Sequence, residues 1–543
     1  MGDITIPLVH RKSQFFSRTL KVLLSLASAS LAAVLASSSI GPAFASAPGG
    51  ALTIVASGGV TNTYTVASGV MTMNSTSSVD ASVIEGLLSS GDLVVYATSI
   101  TVNGDVTNSS SSNLTLKATE HIIVNSSVTI SSQNGDLVLW SDSDSSAGGS
   151  IELGQCTAPV NANGGRLISN GGDIVIGGGA DPRVNFATSR AFLGSWVNSG
   201  SCAKPSFGVA LYGFEVNAGG GSISIRGSGG TSNVSTRAVL AEASLAGEQN
   251  TISTNGSGAI SVLADGSAIT QPNNSSRWGA VLTGTNFSSS SGAISISGKG
   301  NPAGTNVRGF VIASSSYSSS SGDIAFEDTT DTSSGTYSGA YIASGTLSIS
   351  TSGSITFRAD FLDNDSTLSL SGGPAVIEPF NGNSFRDTAQ RILLTENLNA
   401  ASATSLRVGK PGNTSKVTVD QALTVGGPLT IHGQDLALTG AVTATAVSLA
   451  STGATTQTGK LSASSLALSG SGSFTLQNNQ NTIGTLAAGA SGSAAGNVKV
   501  NVASGGLAVG QVGALSGITS SGQIELATLS GDLSITQPIV TTK

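Results

Sequence analysis

Carboxylates are the residues of this chain best suited to chemistry, and they fall into three short clusters. Two carboxyl groups at a fixed separation hydrolyse glycosidic bonds, and a lyase needs an arginine or lysine base beside acidic calcium ligands. The clusters are Asp142 with Asp144; Glu327 with Asp328 and Asp331; and Asp360 with Asp363 and Asp365. No Gly-His-Gly motif occurs, and no Arg-x-Lys stands beside a cluster. We therefore expect these carboxylates to lie in solvated turns and not in the active site of an enzyme. We expect neither a cofactor nor a metal site.

The two cysteines, Cys156 and Cys202, are the other reactive groups. In an exported chain, two cysteines can close one disulfide. They flank the largest irregular segment, where a covalent bridge would offset the entropy of the loop. Neither has the spacing of a CxxC or metal motif. We expect a structural disulfide rather than two buried thiols.

Aromatic and arginine side chains in the longer loops are candidates for a binding surface, because these residues anchor most interfaces and sugar sites. The alternative is that their rings cover hydrophobic edges of the protein. The candidates are Arg183, Arg190, Trp196, Tyr212, Trp278, Arg308, Tyr317 and Tyr337.

The N-terminus has the pattern of a secretory signal peptide. Four Lys and Arg residues lie between positions 11 and 21, and an apolar stretch follows at 22–36. Ala43-Phe44-Ala45 then forms a small-x-small cleavage site. The stretch is shorter than the roughly 20 residues that a spanning helix needs. We therefore predict a signal peptide at residues 1–45, cleaved between Ala45 and Ser46.

The charge balance excludes nucleic acid as a partner. Residues 1–45 hold four of the 23 basic and one of the 30 acidic residues, so the mature chain has 19 basic and 29 acidic residues. Its net charge of −10 offers no basic patch to neutralise phosphates. No later segment is apolar enough to cross a bilayer, so we expect no transmembrane segment in the mature chain.

A short repeated pattern predicts the architecture. A small residue, a glycine and an alternating aliphatic run recur more than ten times along the chain. The first isoleucines of five copies, separated by 37, 34, 30 and 31 residues, are Ile223, Ile260, Ile294, Ile324 and Ile355. A second aliphatic run keeps step with them at Val209, Val239, Val281, Val311 and Tyr341. Alternate side chains of a strand point to one face, and stacking the copies buries that face. The fold class is therefore all-β, a right-handed parallel β-helix in which each repeat carries at least two strands.

The spacing of the repeats divides the mature chain into three parts. Residues 46–375 form long coils that bear loops. Residues 376–410 form an irregular transition, in which the segment 384–399 could form a short helix. Residues 411–543 form tight coils of about 20 residues, as the runs beginning at Leu429, Val447 and Leu466 show. The chain stops within this pattern, so we expect it to be a piece of a longer protein.

Residues 113–153, 405–431 and 473–535 resemble the repeat regions of filamentous-haemagglutinin-type adhesins of Gram-negative bacteria. Sequences such as FTLQNNQNTIGTLA and GITSSGQIELATLSGDLSI carry this resemblance. It implies a β-helical adhesin shaft at the cell surface or released from it. The implied partners are a host-cell, glycan or matrix ligand and an outer-membrane secretion partner. A passive matrix or surface-layer protein, and a polysaccharide lyase or hydrolase on the same fold, are the alternatives.

The signal peptide gives a first testable prediction. N-terminal sequencing of the exported protein is expected to begin at Ser46, because small residues at positions 43 and 45 fit the cleavage pocket. Exported protein that still contains Leu23 or Leu24 would contradict the prediction.

Overall fold

Alternating strands separated by small-residue corners build this protein, and the computed structural model shows how they stack. The region Pro48–Lys543 forms one compact unit. The structure describes residues 47–60, 63–146, 148–154, 164–188, 206–230, 236–243, 248–269, 277–303, 306–330, 337–386, 391–393, 398–490 and 492–542. The predicted signal peptide with its cleavage site at Ala45 and Ser46, the two cysteines Cys156 and Cys202, Arg190, Trp196 and Asp331 lie outside the described residues.

Eleven described strands form the first sheet, and all their pairings are parallel. They are Leu52–Val55, Ser77–Asp80, Ile100–Val102, Ile122–Val124, Ile151–Leu153, Ser206–Tyr212, Thr236–Glu242, Arg277–Thr283, Asn306–Ala313, Tyr337–Ile342 and Leu362–Asn364.

The long sheet covers two further faces and contains 32 described strands. They are Tyr64–Ala67, Val70–Met73, Leu93–Ala97, Val106–Thr107, Leu114–Ala118, Thr129–Ser131, Leu137–Ser141, Arg166–Ile168, Ile174–Gly178, Ala187–Thr188, Glu215–Asn217, Ile223–Ser228, Asn250–Thr254, Ile260–Asp265, Thr285–Ser289, Ile294–Lys299, Ser316–Ser319, Ile324–Asp328, Thr346–Thr351, Ile355–Arg358, Thr367–Glu378, Leu398–Val408, Leu423–Thr424, Leu429–Gly433, Val442–Thr443, Ala446–Ser451, Leu461–Ser469, Thr482–Ala488, Leu507–Val509, Ile518–Ser520, Leu533–Ile535 and Ile539–Thr541.

The remaining described elements are a third parallel sheet, a small hairpin and a helix. The third sheet contains Arg391–Leu393, Lys416–Val419, Leu436–Leu438, Ala454–Gln457, Ser473–Leu476, Val498–Val502 and Ile524–Thr528. The hairpin joins Gln511–Val512 to Leu515–Ser516 in antiparallel pairing. The helix is Ala81–Leu88.

Each coil of the long-coil region contributes three strands, one to each face. Glu215–Asn217 and Ile223–Ser228 lie in the long sheet, and Thr236–Glu242 then pairs in the first sheet with Ser206–Tyr212, one coil earlier. The five isoleucines that share a repeat position pair in direct succession. All five are at most 1% exposed. The predicted inward column, and with it the parallel β-helix, is confirmed.

The register of the second aliphatic run differs from the sequence alignment. Leu240, not Val239, stands beside Val281, and Val239 pairs with Ala280. Both neighbours in each run are aliphatic, so the pattern alone does not distinguish the inward from the outward position. A shift of one residue exchanges the two faces of a strand. The run therefore contains one inward and one outward column.

The transition near residue 376 is a change of sheets. The first sheet ends at Leu362–Asn364, and the third sheet begins at Arg391–Leu393. The long sheet continues through both regions by way of Thr367–Glu378 and Leu398–Val408, which pair with each other. The predicted helix is therefore wrong where the structure describes this segment. Strand pairing on both sides outweighs the weak helix preference of the sequence.

The described helix instead follows the edge strand of the first sheet at the N-terminal end. Ala81–Leu88 buries Ala81, Ile84 and Leu88 against the core. Its Glu85 accepts a hydrogen bond from the backbone N–H of Thr107, 2.8 Å away. Solenoid folds need such caps, because a terminal coil would otherwise expose its apolar interior.

Glycine at one corner of the β-helix permits the coils to approach each other. A Cβ atom at any of these glycines would lie less than 3.0 Å from the carbonyl oxygen of the matching glycine one coil earlier. No side chain can occupy this space without moving the backbone. The column comprises Gly172, Gly221, Gly258, Gly292 and Gly322.

Buried hydroxyl groups beside these glycines bond each coil to the one before it. Ser319 accepts a hydrogen bond from the N–H of Gly322 (2.9 Å) and donates one to the carbonyl of Gly292 (3.1 Å). Thr351 repeats this arrangement one coil later, donating to Gly322 at 2.6 Å. The hydroxyls satisfy backbone groups that a buried corner would otherwise leave without partners.

The corner column predicts that one added methyl group is costly. Gly292→Ala is expected to lower the free energy of unfolding by about 1–3 kcal/mol, the usual cost of overpacking. Gly86→Ala is the matched control, because its Cβ meets nothing within 4 Å in the helix. It should be neutral or stabilising by up to about 1 kcal/mol. Denaturant unfolding measures both, and equal effects would contradict the steric account.

Candidate functional site: an arginine–aromatic face on the first sheet

An apolar strip lies on the outer face of the first sheet. Ala210, Leu240, Val281 and Val311 occupy successive positions of one outward column, and they form a cluster separate from the main core. Each is at most 6% exposed. Outward columns of a β-helix are usually polar, so a buried apolar column outside the main core marks this face as unusual. The outer strip comprises Phe207, Ala210, Tyr212, Leu240, Val281 and Val311, with Trp278, Tyr341 and Ala343 packed against it.

A column of alternating rings and guanidinium groups runs beside the strip. Phe207 pairs with Arg237, Arg237 with Trp278, and Trp278 with Arg308. The guanidinium of Arg237 lies 4.2 Å from the centroid of the Trp278 ring. Such cation–π contacts stabilise by about 0.5–2 kcal/mol each. The parallel register creates them, because it sets the same strand position of each coil beside the next.

Burial shapes the electrostatics around Arg237. Loss of water lowers the pKa of its guanidinium to about 10, and the carboxylate of Glu242 opposes this shift. Burial likewise raises the pKa of Glu242, while Arg237 lowers it. The two groups therefore each keep the other charged on a face that is otherwise apolar.

Arg308 forms the second charged centre, on the third strand from the end of the first sheet. Its side chain is 7% exposed, and its Nη2 lies 2.8 Å from Oδ2 of Asp363. Its guanidinium also stacks on Tyr341, 4.6 Å from the ring centroid. The hydroxyl of Tyr341 donates to Asp365 at 2.9 Å. Burial, and then the hydrogen bond to Asp365, raise the pKa of Tyr341.

The buried donor atoms on this face that lack a hydrogen-bond partner include two on aromatic residues. These two are the hydroxyl of Tyr212 and the indole N–H of Trp278. Burial, followed by the nearby carboxylates of Glu152 and Glu242, raises the pKa of Tyr212 well above its ordinary value. Native proteins rarely leave buried donors unpaired, but the interior hydroxyl of Tyr317 is unpaired as well.

The structure brings three of the sequence candidates together on this face: Tyr212, Trp278 and Arg308. Tyr337 pairs through its backbone with Asn306 in the same sheet. The sequence analysis missed Arg237, Glu242, Asp363 and Asp365 as members of the face. Their places on the face can be recognised only when the strands are aligned coil by coil, because none of the four residues belongs to a sequence motif.

Tyr317 is a correction, because it lies in the interior rather than on a binding surface. It is 1% exposed and stacks on Phe287, with ring centroids 4.7 Å apart. Its neighbours in the inward column are Phe287 and Ile349. An aromatic residue in a Ser-rich segment suggests an exposed anchor, but strand alternation places this ring inside.

Arg183 lies on a different face and holds a loop. Its Nη2 is 3.0 Å from Oδ2 of Asp136 in an exposed ion pair. The indole of Trp140 donates to the carbonyl of Gly179 in the same loop, at 2.6 Å. The ring of Trp140 in turn covers the ammonium of Lys117, 3.9 Å from its centroid. Arg183 therefore helps to hold the loop that contacts Trp140, and the ring of Trp140 covers Lys117 on the long sheet.

The carboxylate clusters have structural partners. Glu327 pairs with Arg358 at 2.7 Å, and Asp360 accepts hydrogen bonds from the backbone and side chain of Asn381. Asp328 is buried and accepts hydrogen bonds from Thr330 and Gly309. In the described part of the chain, no group of three or more His, Cys, Asp and Glu residues could hold a metal ion.

Comparisons with protein-family models, with curated proteins and with solved structures find no match to this chain. No helix among the described residues has the length and apolar character to cross a membrane.

Asp328 predicts a measurable pH dependence of stability. Burial raises its pKa from 3.8 to about 6, although hydrogen bonds from Thr330 and Gly309 oppose this. The folded state therefore binds a proton more readily than the unfolded state, and this group adds stability as the pH falls from 7 towards 4. The free energy of unfolding should rise by about 2 kcal/mol relative to Asp328→Asn over that range. Parallel pH–stability curves for the two proteins would contradict the assignment.

Proposed function

We propose that this protein is an exported adhesin whose β-helix presents the arginine–aromatic face of the first sheet to a ligand. The proposed ligand is a host-cell, glycan or matrix molecule, and an outer-membrane secretion partner is part of the proposal. The signal-peptide pattern and the resemblance to filamentous-haemagglutinin-type repeats support export to the cell surface.

The observation that carries the proposal is the composition of the outer strip. Trp, Tyr and Arg are the residues that most often dominate binding energy at interfaces. They converge here on one face, on five consecutive strands that run from Ser206 to Ile342. A β-helix needs no outward apolar column for its own stacking, because its core is inside.

The coils after residue 411 are proposed as a spacer. That region contains no Trp, Tyr or Arg. Its outward positions are mostly Ser, Thr and Ala, as in Thr430, Ser448 and Ala467, which follow one another on the long sheet. The boundary between the proposed binding region and the proposed spacer lies where the third sheet replaces the first sheet.

The adhesive role is tested by removing the two partly buried rings that pack against the outer strip. The double variant Trp278→Ala, Tyr341→Ala should bind cells and immobilised matrix proteins at least about tenfold more weakly than the unchanged protein. Tyr64→Ala is the matched control, since Tyr64 is a partly buried tyrosine on the N-terminal hairpin. It should bind as the unchanged protein does.

Thermal unfolding of each variant separates loss of binding from loss of fold. Unchanged binding by the double variant would overturn the assignment of this face. An unchanged protein that binds no cell or matrix surface would favour the passive surface-layer alternative. Cleavage of a polysaccharide by the protein would favour the enzymatic one.

A further inference from the structure

Exposed apolar side chains concentrate on the last coil that the structure describes. The three strands of this coil are Ile524–Thr528, Leu533–Ile535 and Ile539–Thr541. Contiguous exposed apolar patches on soluble proteins usually mark interaction sites. Of the eight large hydrophobic side chains that are exposed in the described part of the chain, five lie on this coil, namely Leu529, Leu533, Ile535, Ile539 and Val540.

Two of these side chains continue columns that are buried in the preceding coil. Leu533 pairs with Leu507, and Ile535 pairs with Val509. Leu507 and Val509 are at most 1% exposed, whereas Leu533 is 42% and Ile535 is 58% exposed. The interior columns therefore reach this end of the β-helix without the cover that each earlier coil receives from the next.

The same coil presents an open edge of backbone groups. Among the described residues, each of its three strands has a partner on one side only, in a preceding coil. The N–H of Leu507 donates to the carbonyl of Asp532 at 2.8 Å. Alternate residues of a strand direct their backbone groups to opposite neighbours, so those of Leu533 and Ile535 point to the open side.

The strands of this edge carry little charge. Sheet edges are commonly protected from pairing by lysines, prolines or inward-pointing charges within the edge strand. The three strands contain one charged residue, Glu525, whose carboxylate lies 3.3 Å from the ammonium of Lys499 in the preceding coil. An apolar edge of this kind favours a second β-sheet edge as its partner, because such an edge supplies both backbone hydrogen bonds and apolar contacts.

The opposite end of the β-helix is closed by other elements. There the helix Ala81–Leu88 packs on the core, and Tyr64–Ala67 pairs antiparallel with Val70–Met73. A head-to-tail contact would have to displace these elements, whereas two identical tails can meet across a two-fold axis. A two-fold contact is self-complementary and closes at two copies.

We propose that two copies of this chain associate tail to tail, so that their last coils join into continuous sheets across a two-fold axis. The middle strand, Leu533–Ile535, pairs antiparallel with the same strand of the second copy, and the two outer strands pair with each other across the axis. Ser534 then stands opposite its own counterpart, with Cβ atoms about 4.5–5.5 Å apart. This surface is separate from the face proposed to bind a ligand.

Sedimentation equilibrium of the purified chain measures this association. The unchanged protein should form dimers in the micromolar range. Ile535→Lys should raise the dissociation constant of the dimer at least about tenfold, because it places a charge in the joined core. Val184→Lys is the matched control, since Val184 is an exposed aliphatic residue in another coil, and it should dimerise as the unchanged protein does.

Disulfide formation tests the geometry without an added charge. In a chain with Cys156→Ser and Cys202→Ser, mild oxidation should link Ser534→Cys into covalent dimers, because directly opposed residues are close enough for a disulfide. Ala508→Cys is the control and should stay unlinked, because Ala508 lies one coil earlier in the same outward column. A monomeric chain, assemblies longer than dimers, equal linking at both positions, or dimers that Ile535→Lys leaves intact would overturn the inference.

Discussion

Close contact between glycines at one corner sets the geometry on which the rest of this structure depends. A carbonyl oxygen of one coil occupies the space that a Cβ atom of the next coil would need, as at Gly258 and Gly292. Buried hydroxyls such as that of Ser289 then bond the two coils, accepting from Gly292 and donating to Gly258. Because the corner fixes the offset between coils, every strand meets its predecessor in one register.

That register turns single residues into columns. Inside, it stacks Phe287 on Tyr317 and Phe326 on Phe357, with ring centroids 4.7 Å apart in both pairs. Outside, it places Arg237 between Phe207 and Trp278. The interior columns stabilise the fold, whereas the exterior column packs on the outer side of the first sheet, apart from the main core. The same stacking rule thus produces both the core and the candidate site.

The sequence predicted those features that depend on period-2 alternation and on repeated spacing. The isoleucine column and the parallel strands follow from them directly. It could not predict the outer strip, since Val239 and Leu240 are both apolar and only the register shows which of them faces outward. It also placed Tyr317 on the surface, because alternation in a Ser-rich strand is ambiguous until the neighbouring coil is known. The sequence analysis did not predict the helix at Ala81–Leu88 for a similar reason. Its role as a cap depends on where the stack of coils begins.

The central claim is that one continuous ladder of coils crosses the change of sheets near residue 376. Outward positions of the long sheet place Ser224 and Thr356 four rungs apart, and Ser224 and Ser448 eight rungs apart. Electron–electron double resonance between nitroxide labels at Ser224→Cys with Thr356→Cys, and at Ser224→Cys with Ser448→Cys, measures both separations in a chain with Cys156→Ser and Cys202→Ser. The account predicts distances of about 19 and 38 Å at about 4.8 Å per rung. A second distance that is not close to twice the first would contradict it.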